Sequence, residues 1–468
     1  MKRTTTYLAA LVLLISSCSP HCEQRRCLPP IYPDYCNVTV PENIAPLNFM
    51  VEGASSVRVT IDGELCAKGS YARFKKARWK KLTASTDTLK LQVCAKIDGK
   101  WIEFEPFNIY VSQDPIDATV VYRRLDPGFE LYAKMGIYQR DLNSFKERAV
   151  YLNNTVGVGC VNCHSFSKCD PAEMQLHFRG ENGGSLIKID GKGEVFNMKN
   201  DLTLGTVYPY WHPDGRYIAY SVNDIKQSFH NLPGKVLEVY DLASDVTVYD
   251  TEKQELLVYP LLQDSTRFET FPAFSADGRK IYFCSAPASK DFESIRYGLY
   301  STEFNFEDGS IGGTITPVWQ AEGKSVSFPR PSYDGNYLLF TLCDFGNFSI
   351  WHPEADLWMM DLRDGSVRAL DELNSDDTES YHSWSTNSRW MVFSSRREDG
   401  RHTRLYISHL NPDGRWSKPF LLPQKDPSYN IELLQSYNIP EFCTGKVEVD
   451  ATQVALKQRT SIKARLQP

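Results

Sequence analysis

A segment that returns four times constrains this chain more than any other feature. Tyr208-Pro-Tyr-Trp-His-Pro-Asp-Gly-Arg-Tyr-Ile-Ala-Tyr220 recurs as Phe271-Pro-Ala-Phe-Ser-Ala-Asp-Gly-Arg-Lys-Ile-Tyr-Phe283 and as Phe328-Pro-Arg-Pro-Ser-Tyr-Asp-Gly-Asn-Tyr-Leu-Leu-Phe340. A looser copy is Tyr381-His-Ser-Trp-Ser-Thr-Asn-Ser-Arg-Trp-Met-Val-Phe393. Each copy reads as a strand, a tight turn whose Gly or Asn takes positive φ, and a second apolar strand. A third strand follows each (KVLEVYDL, YGLYSTEF, DLWMMDL, TRLYISHL), then a weaker fourth. Four-stranded units repeating every 53 to 63 residues are the blades of a β-propeller.

The ends of this array complement each other. Tyr437-Asn-Ile-Pro-Glu-Phe442 has the form of an inner strand with no partners after it, while MQLHFRGE, GGSLIKID and GEVFNMK read as second, third and fourth strands with none before them. One blade built from both ends satisfies both remainders and removes the open sheet edges. The expectation is therefore a propeller over 175–443 with five blades, six being the alternative, and a tail over 444–468. Cys169 and Cys443 fall at one end of that composite blade. A disulfide there would replace its missing turn; the alternative is two unpaired thiols.

Ahead of the propeller the pattern changes twice. Residues 37–115 alternate apolar and polar positions between turns such as IDGE and IDGK, which predicts a small immunoglobulin-like β-sandwich, with Cys66 and Cys94 able to pair across it. The first residues carry Lys2 and Arg3, a short apolar run from Tyr7 to Ile15, and then Ser16-Ser17-Cys18. Too short to span a bilayer, this run reads as an export signal over 1–17. Its ending resembles the bacterial lipoprotein signal, which implies acylation of Cys18 and anchoring in the cell envelope, with the body in the periplasm or at the cell surface. Residues 18–36, with Cys22, Cys27 and Cys36 among prolines, read as a tether.

Between sandwich and propeller, 116–174 reads as a partly helical segment carrying Cys160-Val-Asn-Cys163-His164. That spacing matches covalent haem c attachment, with two thiols on the vinyl groups and His164 as an axial ligand. Met174 and His177 are candidates for the other axial position, which would make His164, Met174 and His177 the candidate iron ligands. A plain disulfide, a redox dithiol and half a zinc site are the competing readings of the cysteine pair. His177 can equally be a strand residue, and His212 reads as a turn residue.

The repeat, Pro-x-(Trp/Phe)-Ser-x-Asp-Gly-(Arg/Lys) followed by alternating apolar residues, resembles that of TolB-like propeller domains over about 208–424. The order of signal, small β domain, CVNCHSF and repeats is similar to a group of exported bacterial propeller proteins with one haem-type motif. This resemblance implies fold and export; it implies no activity. Two functions follow: a haem-bearing redox or sensing lipoprotein with a protein partner on the propeller face, or a non-enzymatic envelope scaffold binding protein or glycan, its Cys motif structural. Interspersed charges with a net of −6 point away from nucleic acid. The sequence has no Gly-x-Ser-x-Gly elbow, P-loop or His-Glu-x-x-His.

Overall fold

The computed structural model describes residues 22–467 except 127–133, 156–158, 181, 201–202, 204 and 233–234, so Cys18 and the signal lie outside the described residues. Six sheets, three of four strands and three of five, surround a central channel. Blade 1 is composite: its innermost strand is Ser436–Cys443, followed outward by Thr119–Leu125, Met135–Asp141 and Glu147–Leu152. Blade 2 begins at Cys160–Phe166 and continues through Met174–Arg179, Gly184–Ile189 and Lys192–Asn197. Blades 3 to 6 have the inner strands Val207–Trp211, Arg267–Phe274, Ser325–Pro331 and Glu379–Trp384.

The five-blade expectation is thus corrected to six. Closure by both ends holds, and the inner strand is the expected one. Its partners, however, come from 119–152, which is β-strand and not a helical cover. The strands expected to complete that blade belong to blade 2, whose own inner strand is the haem-type motif.

The repeat chemistry explains the turns. In blades 4 and 5, Ser275 and Ser332 donate Oγ–H to Asp277 and Asp334 at 2.6 Å and accept the N–H groups of Lys280 and Tyr337. Ser385 and Asn387 do the same in blade 6, with Ser388 taking the glycine position at φ 56°. Gly278 cannot be replaced: its φ is +72°, and a Cβ there would lie 2.1 Å from Nε2 of His212. That imidazole bridges the turns of blades 3 and 4, lying 2.9 Å from the Gly278 carbonyl oxygen.

The sandwich expected over 37–115 is not confirmed: Met50–Val51 pairs with Ile31–Tyr32 in a two-stranded sheet, and the other strands belong to one seven-stranded sheet. Its strands run in the order Glu23–Gln24, Lys100–Glu103, Thr88–Ile97, Ala54–Ile61 and Glu64–Gly69, with Phe107–Ser112 and Thr39–Pro41 continuing from Thr88–Ile97. Lys76–Thr83 forms a helix that buries Trp79. The stretch expected as a tether is folded in: Ile31–Tyr32 pairs with Met50–Val51, and Tyr35 and Cys36 are buried. Tyr35, Phe49 and Trp79 share one apolar core with Trp390, Ile407 and Phe420 of blade 6, so this domain is packed onto the propeller. The tail is structured too: Ile462–Lys463 and Arg465–Leu466 add parallel edge strands to blades 2 and 3.

Candidate functional site

Every inner strand is broken by a register shift. At five of the six, the residue at the break has left-handed backbone: Cys163, Tyr208, Phe271, Phe328 and Ile439 have φ between 49° and 55°. Tyr381 stands at the same place in blade 6. Each such residue costs about 1–2 kcal/mol in backbone strain, and the bulge re-aims its side chain. The rings of Tyr208, Phe271, Phe328 and Tyr381 follow one another around the channel with centroids 4.5, 4.4 and 4.7 Å apart. Cys163 and Ile439 stand in the two remaining blades.

The haem-type motif falls into this repeat. Cys163-His-Ser-Phe-Ser167 aligns with Tyr381-His-Ser-Trp-Ser385, and with Phe271-Pro-Ala-Phe-Ser275 in blade 4. The residue after the bulge is proline in blades 1, 3, 4 and 5 and histidine in blades 2 and 6. Both are compact rings on a blade-to-blade slot, so the imidazole occupies a place that a pyrrolidine fills elsewhere. His164 is 1% exposed, with Nε2 3.4 Å from the Val121 carbonyl oxygen of blade 1. Burial pushes it down to about 3, as it does the equivalent His382.

The other expected site residues are distributed around this strand. Cys160 lies at the mouth of the channel remote from the Asp-Gly turns. Met174 is fully buried in the core, opposite Phe166 in the ladder. His177 is opposite Asn162, with Nδ1 3.1 Å from Ser185 Oγ. Cys66 and Cys94 are on strands separated by Ala54–Ile61, and the sulfur 2.7 Å from Cys94 Sγ is that of Cys22. Cys169 and Cys443 carry free thiols. They belong to neighbouring blades, and the Thr444 N–H donates to the Cys169 carbonyl at 2.9 Å.

His164 is buried between blades with its Nδ1 lacking a hydrogen-bond partner, Cys160 is paired with Arg179 in the ladder, and Cys163 stands in the bulge. Among the described residues no group of three or more His, Cys, Asp or Glu is arranged to hold a metal ion.

What the channel does present is charge at its two mouths. On the Asp-Gly turn side, Ser165, Tyr210, Arg330, Ser383 and Glu441 line the wall. The Arg330 guanidinium lies 5.2 Å from the Tyr210 ring centroid. Burial pushes Glu441 up to about 8, against the opposing pull of Arg330. At the other mouth stand Arg123, Arg179 and Arg396, with Asn162, Tyr208 and Tyr381 beside them. One wall of it is a hairpin of blade 3, Tyr217–Leu232 with Lys235–Asp250, which contributes Ile225, Gln227, Leu237 and Val239. The hairpin is pinned along its second strand by Asp241, which accepts from Asn223 and Tyr297 at 2.8 Å, and by Glu238, 3.1 Å from His352. None of these arginines stood out in the sequence. Arg123 sits on a strand within the segment read as partly helical, Arg179 ends a strand and Arg396 follows one, places where arginine is commonplace.

Neither a protein-family model nor a curated protein matches the chain. Among solved structures, one of a nidogen/laminin complex is similar over 64% of this chain and 93% of that chain, at 9% identity and a TM-score of 0.39. Oligogalacturonate lyase from Vibrio parahaemolyticus is similar over 63% and 92%, at 11% identity and 0.36. Puromycin hydrolase is similar over 68% of this chain and 56% of that chain, at 12% identity and 0.40. No functional assignment rests on these likenesses.

Proposed function

We propose that the protein is a non-enzymatic binding propeller of the bacterial envelope, held to a membrane by lipid on Cys18, in which Cys160-x-x-Cys163-His164 serves as scaffold. The observation that carries this reading is the register of CVNCHSF: bulge residue, ring residue and the two that follow coincide with those of the other inner strands. A strand so placed is explained by packing alone, because Cys163 completes the channel lining and His164 fills the slot that proline fills in four blades. What remains for function is the polar channel mouths. The test is expression in a host with periplasmic haem-attachment machinery. Folded protein with no Soret band after denaturation and acid extraction is expected; a Soret band that survives, and is lost in Cys160→Ala and Cys163→Ala, would overturn the scaffold reading.

A further inference from the structure

The chain takes an unusual course where it enters the folded body. Glu23–Gln24 is an edge strand of the seven-stranded sheet, parallel to Lys100–Glu103, with Glu23 opposite Ile102. Lys100–Glu103 pairs in turn with Thr88–Ile97, where Cys94 stands opposite Glu103. One whole strand therefore separates the edge from Cys94, and two strand spacings amount to about 9–10 Å. Yet the sulfur of Cys22, the residue just before the edge strand, lies 2.7 Å from that of Cys94. To bring it there the chain leaves the register of the ladder and crosses Lys100–Glu103. It does so on the outer face of the sheet, because Cys94 alternates with Val93 and Ala95, which point into the core.

The contact is too close for two separate thiols. Uncharged heavy atoms rest against each other at roughly 3.5–4.0 Å, and a sulfur pair well inside that distance is on the way to the ~2.0 Å of a bond. Burial, and after it the Cys22 sulfur, push the Cys94 thiol up to about 12, so a thiolate accepting from its neighbour does not account for the approach. Cys66, the partner expected for Cys94, stands on Glu64–Gly69 with Ala54–Ile61 in between. The edge strand also needs help. Glu23–Gln24 is two residues long and exposed, which is little pairing to hold a chain end against fraying.

We propose that Cys22 and Cys94 form a disulfide in the exported protein, stapling the segment next to the lipid anchor to the sheet domain and closing a loop of 72 positions. Two S–H bonds break and one S–S bond forms. The two electrons and two protons pass to a second disulfide, the oxidant, which leaves as two thiols. This assignment rests on the envelope location in the proposed function and adds to it the way the body is held. With lipid on Cys18, four residues separate the anchor from the bond, at most about 14 Å of chain. The reach expected of a tether over 18–36 is thereby reduced to those four residues, and the edge of the sheet is kept near the membrane.

The test is a thiol map of the full chain, purified in detergent from the envelope of an exporting bacterium. Thiols are blocked with iodoacetamide in denaturant without reductant, and those released by reduction then take a deuterated form of the reagent. Trypsin, cutting after Lys90 and Lys96, frees Leu91–Lys96, which carries Cys94 as its one cysteine. That peptide should carry the deuterated label and, without reduction, should appear joined to the fragment ending at Arg25. Cys22→Ser should shift it to the first label, and Cys66→Ser should leave it deuterated. A deuterated peptide in Cys22→Ser means a different partner and overturns the pairing. If wild type carries the first label, unblocked protein is incubated with oxidised glutathione. Closure to the Arg25 fragment then keeps the pair and removes the oxidising compartment from the proposed function, whereas failure to close overturns the pair wherever the protein resides. A covalent Soret band would remove the scaffold reading and leave this result untouched.

Discussion

At the Asp-Gly turn end of the channel, Arg330 lies against the Tyr210 ring and within electrostatic reach of Glu441. At the opposite end, Arg123 meets other cations and an acceptor that has no donor. At the first mouth a cation lying over an aromatic ring faces a carboxyl that burial keeps protonated. The second gathers three arginines, of which Arg396 donates to the Ile350 carbonyl and lies over the Trp351 ring.

The largest test of this contrast removes the strand that serves both mouths. Ending the chain at Gln435 deletes Asn438 and Ile439 from one and Glu441 and Phe442 from the other, and cooperative unfolding by circular dichroism should vanish. Phe442→Ala, a milder form, should cost about 3–5 kcal/mol by cavity formation. Native-like melting of the truncated chain would refute closure by both termini. Next in size is a pair: Arg330→Met removes the cation lying over the Tyr210 ring and should destabilise by roughly 1–2 kcal/mol, while Arg123→Met should not destabilise at all. Equal losses would erase the distinction between the mouths.

A pH profile sharpens it further. Glu441 and Glu269 sit at about 8 in the folded state, against an ordinary 4.5. Both are held protonated by the fold, so their contribution is whole below pH 4.5 and is lost as pH rises towards 8. Glu441→Gln should flatten that decline in chemical denaturation, and an unchanged slope would remove Glu441 from the account. His164, His177 and His382, held near 3, work in the other direction: their contribution is whole above pH 6.5 and is lost as pH falls towards 3. The smallest effect is expected from His164→Pro. Four blades already carry proline there, so the variant should fold within about 1 kcal/mol of wild type. A variant that fails to fold would show that the imidazole does something the ring slot does not require.

The sequence by itself determined the propeller, the Asp-Gly turns and the inner strand near the C-terminus, because alternation and turn chemistry are local and repeat wherever the backbone does the same thing. It did not reveal blade 2. There the turn is a residue longer, Ser167 N–H reaching Glu173 where Ser275 reaches Lys280, and the positions of Asp and Gly hold Cys169 and Asp170. The bulge carries cysteine where four other blades carry aromatic rings, so seven residues of strand read as a cofactor motif. Blade 1 was hidden for a related reason, since its outer strands lie some 300 residues before the inner strand that defines them. Only the tertiary structure could bring Arg123 on one of those strands to Arg179 and Arg396 on two other blades. Charge convergence across a ring depends on which blades are neighbours, and no spacing along the chain records that.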